Sequence, residues 1–232
     1  MDKIHIAIIL DGNRRFAKKN NMSNNEAYSM AASKVEELSN YLFEREDVGI
    51  ISVFALSENN ISKRPKQELK NLFKILHDRF KKIDKELLGK RKIHVLGLPH
   101  TLSGMGNGIN EVIRKINTTY CNGKKTINIL FGYSGQAEIV RAAKNFLDNF
   151  ELFYPGEYIK NDKKVFEKGL LVKQPVDLIV RTSGERRLSG FLTYQTAQAQ
   201  IYFEDKLFPE ITVKDVEKWL DWYHTSERRY GK

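Results

Sequence analysis

The sequence predicts an α/β fold, a single domain over residues 1–232 with a largely parallel central sheet flanked by helices. Three observations predict it. Short, β-branched apolar runs alternate along the chain with stretches of helical period, the pattern of βαβ units. Each apolar run gives way to a cluster of polar residues and glycine, and no repeat or low-complexity segment interrupts the alternation. With 232 residues, 41% of them hydrophobic, the chain can bury one sizeable core, yet no apolar run reaches the roughly 18 residues that span a bilayer.

The first strand is read over 5–10, where Ile6, Ala7, Ile8, Ile9 and Leu10 form a short apolar run. A helix follows over 24–44, with Ala27, Ala31, Val35, Leu38 and Leu42 along one face. Gly49 precedes a second strand, 50–56, and the next helix, 67–88, carries the stripe Leu69, Leu72, Phe73, Leu76, Phe80 and Ile83. Strand 92–96 ends at Gly97; helix 110–120, strand 126–131 and helix 136–150 come next, then strand 176–180 and a last helix, 213–223. Residues 153–173 are the least regular stretch and read as a surface excursion. Parallel strands bring their carboxyl ends to one edge. The polar clusters at 11–15, 57–64, 97–100, 132–136 and 181–189 would therefore line one site.

The formal net charge of +10 favours anionic partners, whether nucleic acid, a lipid surface or a phosphorylated substrate. No nucleic-acid-binding signature accompanies the charge, and the lysines of 66–90 read as a solvated helix face. The five histidines lack zinc-like spacing, and Cys121, alone, allows no internal disulfide and reads as an incidental thiol. The start, Met1-Asp2-Lys3, lacks a signal-peptide pattern, so a cytoplasmic protein is expected.

Two clusters carry chemistry. Asp11-Gly12-Asn13-Arg14-Arg15 offers a carboxylate for a hard cation, an amide and two guanidinium groups, a set suited to a metal-bound phosphorylated ligand. A surface turn with solvated charges is the other reading of that segment by itself. Residues 181–189, RTSGERRLS, offer three guanidinium groups, hydroxyls and a glycine, and arginine forks match phosphate oxygens bidentately.

These segments together resemble the cis-prenyltransferase family, the undecaprenyl and dehydrodolichyl diphosphate synthases. The resemblance rests on Asp-Gly-Asn-x-Arg-aromatic-Ala at 11–17, Arg-Thr-x-Gly-Glu-x-Arg-x-Ser at 181–189, the Tyr202-Phe203 pair and Arg229-Tyr230-Gly231, in the family's order from about residue 4 to 231. It implies a homodimer, a Mg2+ cofactor, an apolar tunnel for the growing chain, and the condensation of isopentenyl diphosphate with an allylic prenyl diphosphate. The stripe at 69–83 could line that tunnel, and plain core is an equal reading of it.

Residue by residue, the resemblance implies that Asp11 is the magnesium-linked catalytic aspartate, with Asn60 a second catalytic position. Gly12, Asn13, Arg14, Arg15 and Phe16 fall on the allylic side. Arg181, Arg187 and Ser189 fall on the isopentenyl diphosphate, with Glu185 orienting the arginines. Ser57 and Arg64 match substrate-binding positions, although Arg64-Pro65 comes one residue late and Ile61 replaces the usual tryptophan. Arg229 and Gly231 would reach the diphosphates across the dimer.

Three departures stand out: Asn24 replaces an arginine, Tyr28 a histidine, and Gln200 the glutamate near the metal. The isopentenyl half of the motif set is thus intact and the allylic half altered. Beside the leading reading stand prenyl transfer with an unusual donor or acceptor, and a non-catalytic subunit of a heterodimer. A cytoplasmic enzyme in peripheral contact with a membrane through its lipid product is compatible with all of these.

Overall fold

β1 (Ile4–Ile9) is buried at every position because both faces of the sheet around it are covered. Ile4, Ile6 and Ile8 enter one core and Ala7 and Ile9 the other, the two-residue alternation of a pleated strand. The computed structural model describes residues 3–81, 90–98, 107–153 and 162–227. β1 is followed by α1 (Asn13–Lys19), α2 (Asn24–Glu44), β2 (Val48–Ser57), α3 (Glu58–Lys63), α4 (Lys66–Lys81) and β3 (Arg91–Leu96). Then come α5 (Asn107–Thr119), β4 (Lys125–Tyr133), α6 (Gly135–Phe153), α7 (Asp162–Lys168), β5 (Leu178–Arg181), β6 (Gln200–Phe203), a 3₁₀ turn (Phe208–Glu210) and α8 (Val213–Thr225).

The sheet has six strands in the order β3-β4-β2-β1-β5-β6, and every pairing is parallel. The strand after β1 lies on one side of it, and β5 lies on the other. β1 and β5 therefore flank the point where strand order reverses, the crevice in which open α/β sheets take their ligands. No helix among the described residues is long and apolar enough to cross a membrane.

α2 is terminated chemically at both ends. The Ser23 hydroxyl accepts from the Glu26 N–H at 3.3 Å, and the Glu26 carboxylate accepts from the Ser23 N–H at 2.8 Å, a capping box. At the other end the Lys125 ammonium donates to the carbonyls of Phe43, at 2.7 Å, and of Arg45, satisfying acceptors that the helix leaves unpaired.

The differences from the sequence reading concern short elements. α1 and α3 lie in segments read as turns, because seven and six residues are too short to show a helical period. β6 is a four-residue edge strand, half exposed, with no apolar run to announce it. The expected surface excursion over 153–173 needs correction at its end. Leu170 and Val172 are 3% and 2% exposed, and the Leu171 N–H donates to the buried Glu138 carboxylate at 2.6 Å. Residues 82–88 of the expected second helix lie outside the described residues.

A polar thread runs through the sheet at His5. Its Nδ1 lies 2.9 Å from the Pro175 carbonyl, which can only accept, so Nδ1 carries the proton. Nε2, 2.7 Å from the Ser52 hydroxyl, then accepts, and the Ser52 oxygen receives the Asn128 amide at 3.1 Å. Burial pushes the His5 imidazole down from its ordinary 6.5 to about 4, against the opposing pull of Pro175 and Asp177. The unfolded chain therefore takes up a proton below pH 6.5 that the folded chain refuses until about pH 4. Stability is full above that window and falls as pH drops through it, by about 3 kcal/mol in total. Urea unfolding of wild type and His5→Gln at pH 7 and pH 4.5 should show the wild type losing more stability on acidification than the variant. Equal losses would refute the assignment.

Candidate active site

Asp11 follows the end of β1 and Arg181 closes β5; the two strands pair so that Ile9 stands opposite Arg181. The Arg181 side chain is 5% exposed, and a guanidinium so deeply buried needs charge and acceptors around it. Its Nη2 donates to Asp11 Oδ2 at 2.7 Å, and its Nη1 to Ser189 Oγ at 2.7 Å and to the Arg187 carbonyl. Its Nε is buried without a partner, an orphaned donor that an anionic oxygen would satisfy. Asp11 is held in turn by its own backbone. The Asp11 N–H donates to Thr182 Oγ1 at 3.0 Å, its carbonyl accepts from the Phe208 N–H at 3.0 Å, and its Oδ1 accepts from the Gly12 N–H at 2.7 Å.

Gly12 is required by shape as well as by conformation. Its φ is +100°, and a Cβ there would stand 2.8 Å from Leu207 Cδ2 and 2.9 Å from Ser183 Cβ. That close approach lets Arg15 reach across to the second cluster, where it donates to the Ser183 carbonyl at 3.0 Å and to Ser183 Oγ at 2.5 Å. Arg14 is exposed beside it. The Asn13 amide donates to the Leu10 carbonyl at 2.9 Å, while its Oδ1 is buried without a partner. Phe16, read as a substrate contact, is 8% exposed in a small core with Ala17 and Ala27, where it seats α1.

The loop 182–190 curls around Arg181 through left-handed backbone at Ser183, Gly184, Ser189 and Gly190, with φ between 52° and 80°. Arg187 extends outward, 65% exposed in its side chain, and pairs with Glu185. The β4–α6 corner locks the loop in place. The Gly135 N–H donates to the Gly190 carbonyl at 2.9 Å, and a Cβ on Gly135 would meet that carbonyl oxygen and Thr193 Oγ1 at 2.5 Å each.

At the end of β2, Ser57 Oγ accepts from the Asn60 N–H at 3.1 Å and so caps α3, and Asn60 itself is exposed. Arg64, at the end of α3, donates to the Tyr28 hydroxyl at 3.1 Å. The Tyr28 hydroxyl donates to Glu68 at 2.5 Å, and burial together with that bond pushes its pKa up to about 12. Gln200 is not brought to Asp11 within the chain. It begins β6 opposite Leu178, three residues and about 10 Å back from the Arg181 end of the sheet. Arg229 and Gly231 lie outside the described residues.

Among the described residues no three His, Cys, Asp or Glu side chains converge as a preformed metal cage. A hard cation such as Mg2+ needs none, since it takes one or two protein oxygens and fills its shell with substrate phosphate and water. The Asp11 carboxylate and the orphaned Asn13 Oδ1 supply oxygens of that kind. Sequence reading passed over Thr182, Ser183 and Glu68. Thr182 and Ser183 stand inside a motif already singled out. Glu68 sits on the polar side of an amphipathic pattern, where a carboxylate reads as solvated.

Residues 9–231 match the family model described as "Putative undecaprenyl diphosphate synthase". The tritrans,polycis-undecaprenyl-diphosphate synthase (geranylgeranyl-diphosphate specific) of Pyrobaculum aerophilum is 34% identical, over 98% of this chain and 95% of that protein. An isoprenyl transferase of Leptospira interrogans is 33% identical, over 98% and 94%. Among solved structures, lavandulyl diphosphate synthase from Lavandula x intermedia, in complex with dimethylallyl diphosphate, superposes with a TM-score of 0.88 at 25% identity, covering 98% of each chain. A probable undecaprenyl diphosphate synthase from Campylobacter jejuni gives 0.76 at 27% identity, covering each chain in full.

The crowding at Gly12 is directly testable. Gly12→Ala should cost roughly 1–3 kcal/mol of stability from the left-handed backbone alone, read by chemical denaturation. A variant as stable as wild type would show that the approach of Leu207 and Ser183 is not a constraint.

Proposed function

The chain belongs to the undecaprenyl diphosphate synthase family, and we propose that it condenses isopentenyl diphosphate with an allylic prenyl diphosphate to form a cis-prenyl diphosphate. The observation that carries this reading is the Asp11–Arg181 contact, which joins two cationic loops at the switch point of the sheet. One loop suits each diphosphate. Arg181, Arg187 and Ser189 would hold that of isopentenyl diphosphate. The Gly12 backbone, Asn13, Arg14, Arg15 and Arg64 would hold the allylic one.

Magnesium, when bound by Asp11 with Asn13 beside it, would supply positive charge to the departing diphosphate. The arginines around it add fixed positive charge where negative charge develops as the allylic C–O bond breaks. The double bond of isopentenyl diphosphate then supplies the electron pair for the new C–C bond. A proton leaves the adjacent carbon, its C–H electrons form the new double bond, and the released diphosphate is a base able to take that proton. The tasks of this chain are to orient two anions and to hold the acceptor double bond against the allylic carbon.

A homodimer fits the same reading. Val140 and Leu147, seven residues apart on α6, are 69% and 61% exposed, an apolar face that a second copy would cover. The altered allylic side and the resemblance to a synthase crystallised with dimethylallyl diphosphate also support a short allylic substrate.

Labelled isopentenyl diphosphate with magnesium and, in turn, dimethylallyl, geranyl, farnesyl and geranylgeranyl diphosphate should give a cis-prenyl product with at least one partner. No product from any of the four would overturn the proposal. Asp11→Ala should lower turnover by about a thousandfold while the far-UV spectrum is kept, and near-normal turnover would remove Asp11 from the chemistry. Arg187→Ala should raise KM for isopentenyl diphosphate about tenfold or more with little change for the allylic partner; equal shifts in both would contradict the division of the site.

A further inference from the structure

Three residues from three elements meet on the allylic side. Tyr28 of α2 is 5% exposed and donates its hydroxyl to Glu68 of α4 at 2.5 Å. The same hydroxyl accepts from Arg64 Nη1 at 3.1 Å, the Arg64 guanidinium carbon stands 5.2 Å from the centre of the Tyr28 ring, and Nη1 lies 3.6 Å from Glu68 Oε1. Arg64 and Glu68 side chains are only 16% and 12% exposed, so each charge needs the other. Pro65 follows Arg64 and holds it in extended backbone, with ψ at 148°, which fixes where the side chain starts. Arg14 is close enough for its charge to bear on the same phenol.

We infer that Tyr28 and Glu68 are positioning residues that set the Arg64 guanidinium for the allylic diphosphate. The inference rests on the prenyltransferase reading above. Tyr28 here does not replace a diphosphate ligand with an inert ring. Its hydroxyl bridges anion and cation, and its face carries the guanidinium. The bridge uses Nη1 alone. Among the described residues Nε and Nη2 have no protein partner, and that edge of the fork is the one left for paired phosphate oxygens. A guanidinium already ordered loses less freedom when the ligand arrives, so the clamp acts on binding more than on the chemical step. The Glu68 carboxylate, 3.6 Å from Nη1, balances the arginine charge on the edge that the bridge already uses.

The test compares wild type, Tyr28→Phe, Glu68→Gln, Arg64→Ala and the two double variants with Arg64→Ala. Steady-state kinetics are run with the best allylic partner from the series above, and farnesyl diphosphate binding is measured by calorimetry. Tyr28→Phe and Glu68→Gln should each raise the allylic KM about fivefold to tenfold, leave KM for isopentenyl diphosphate within twofold, and weaken calorimetric binding by a similar factor. Both should fall silent in the Arg64→Ala background, since they act through that side chain. Equal rises in both KM values, effects that persist without Arg64, or no change in the allylic KM would each overturn the inference. If wild type turns over none of the allylic diphosphates and binds none, the prenyltransferase reading fails first and takes this inference with it. Turnover with unselective variants leaves that reading intact and refutes only the clamp.

Discussion

The Arg181–Asp11 ion pair is the contact on which the site depends. It spans β1 and β5, the strands on either side of the order reversal, so it can form only if those two strands are neighbours in register. A guanidinium 5% exposed is costly to bury, and the surrounding loop answers that cost. Ser189 and the Arg187 carbonyl take up Nη1, and the chain adopts left-handed backbone at Ser183, Gly184, Ser189 and Gly190 to bring them there. Backbone in sparsely populated conformations persists only where its surroundings determine it. Here the Ser183 and Gly184 N–H groups donate to the Lys206 and Glu204 carbonyls at 2.7 and 2.9 Å, and Gly190 accepts from Gly135 at 2.9 Å.

The same pair explains why the site divides into two unequal halves. Around Arg181 the donors are fixed by β5 and by a loop sutured to β4 and β6. The other half draws on α1, on α3 and on side chains of α2 and α4, so its cations come from separate elements. Arg15 solves this by anchoring on Ser183, and Arg64 by anchoring on Tyr28. Arg14 and Arg187, by contrast, reach into solvent. Exposed arms of this kind stay free to turn, whereas the buried arginine is fixed by its partners.

Much of this was legible in the chain. The strand at β1 and the full extent of α2 follow from apolar period, a local signal. That the polar clusters after β1, β2, β4 and β5 share one edge follows from parallel pairing, a consequence of alternation alone. What stayed hidden depends on contacts distant in sequence. β6 is a strand because the Gln200 N–H finds the Asp177 carbonyl at 2.9 Å, not because QIYF has a strand pattern. Phe16 sits in a polar motif, yet its burial depends on packing with Ala27 and with Leu207, the latter far along the chain. Glu68 looks like one charge among many on α4 until Tyr28 is placed against it.

The two departures at Tyr28 and Gln200 look alike in sequence, each a polar residue in place of one that meets diphosphate or metal in similar enzymes. In the structure they differ in kind. Tyr28 has every polar capacity in use, between a donor and an acceptor of opposite charge, so its change came with a local network that gives it work. Gln200 has a buried Oε1 with no partner, and it lies at the far end of β6 from the Asp11–Arg181 pair. A carboxylate at that buried oxygen would place a charge there, while an amide brings only an unmet acceptor, the smaller penalty. The buried oxygen by itself favours an amide over a carboxylate at position 200.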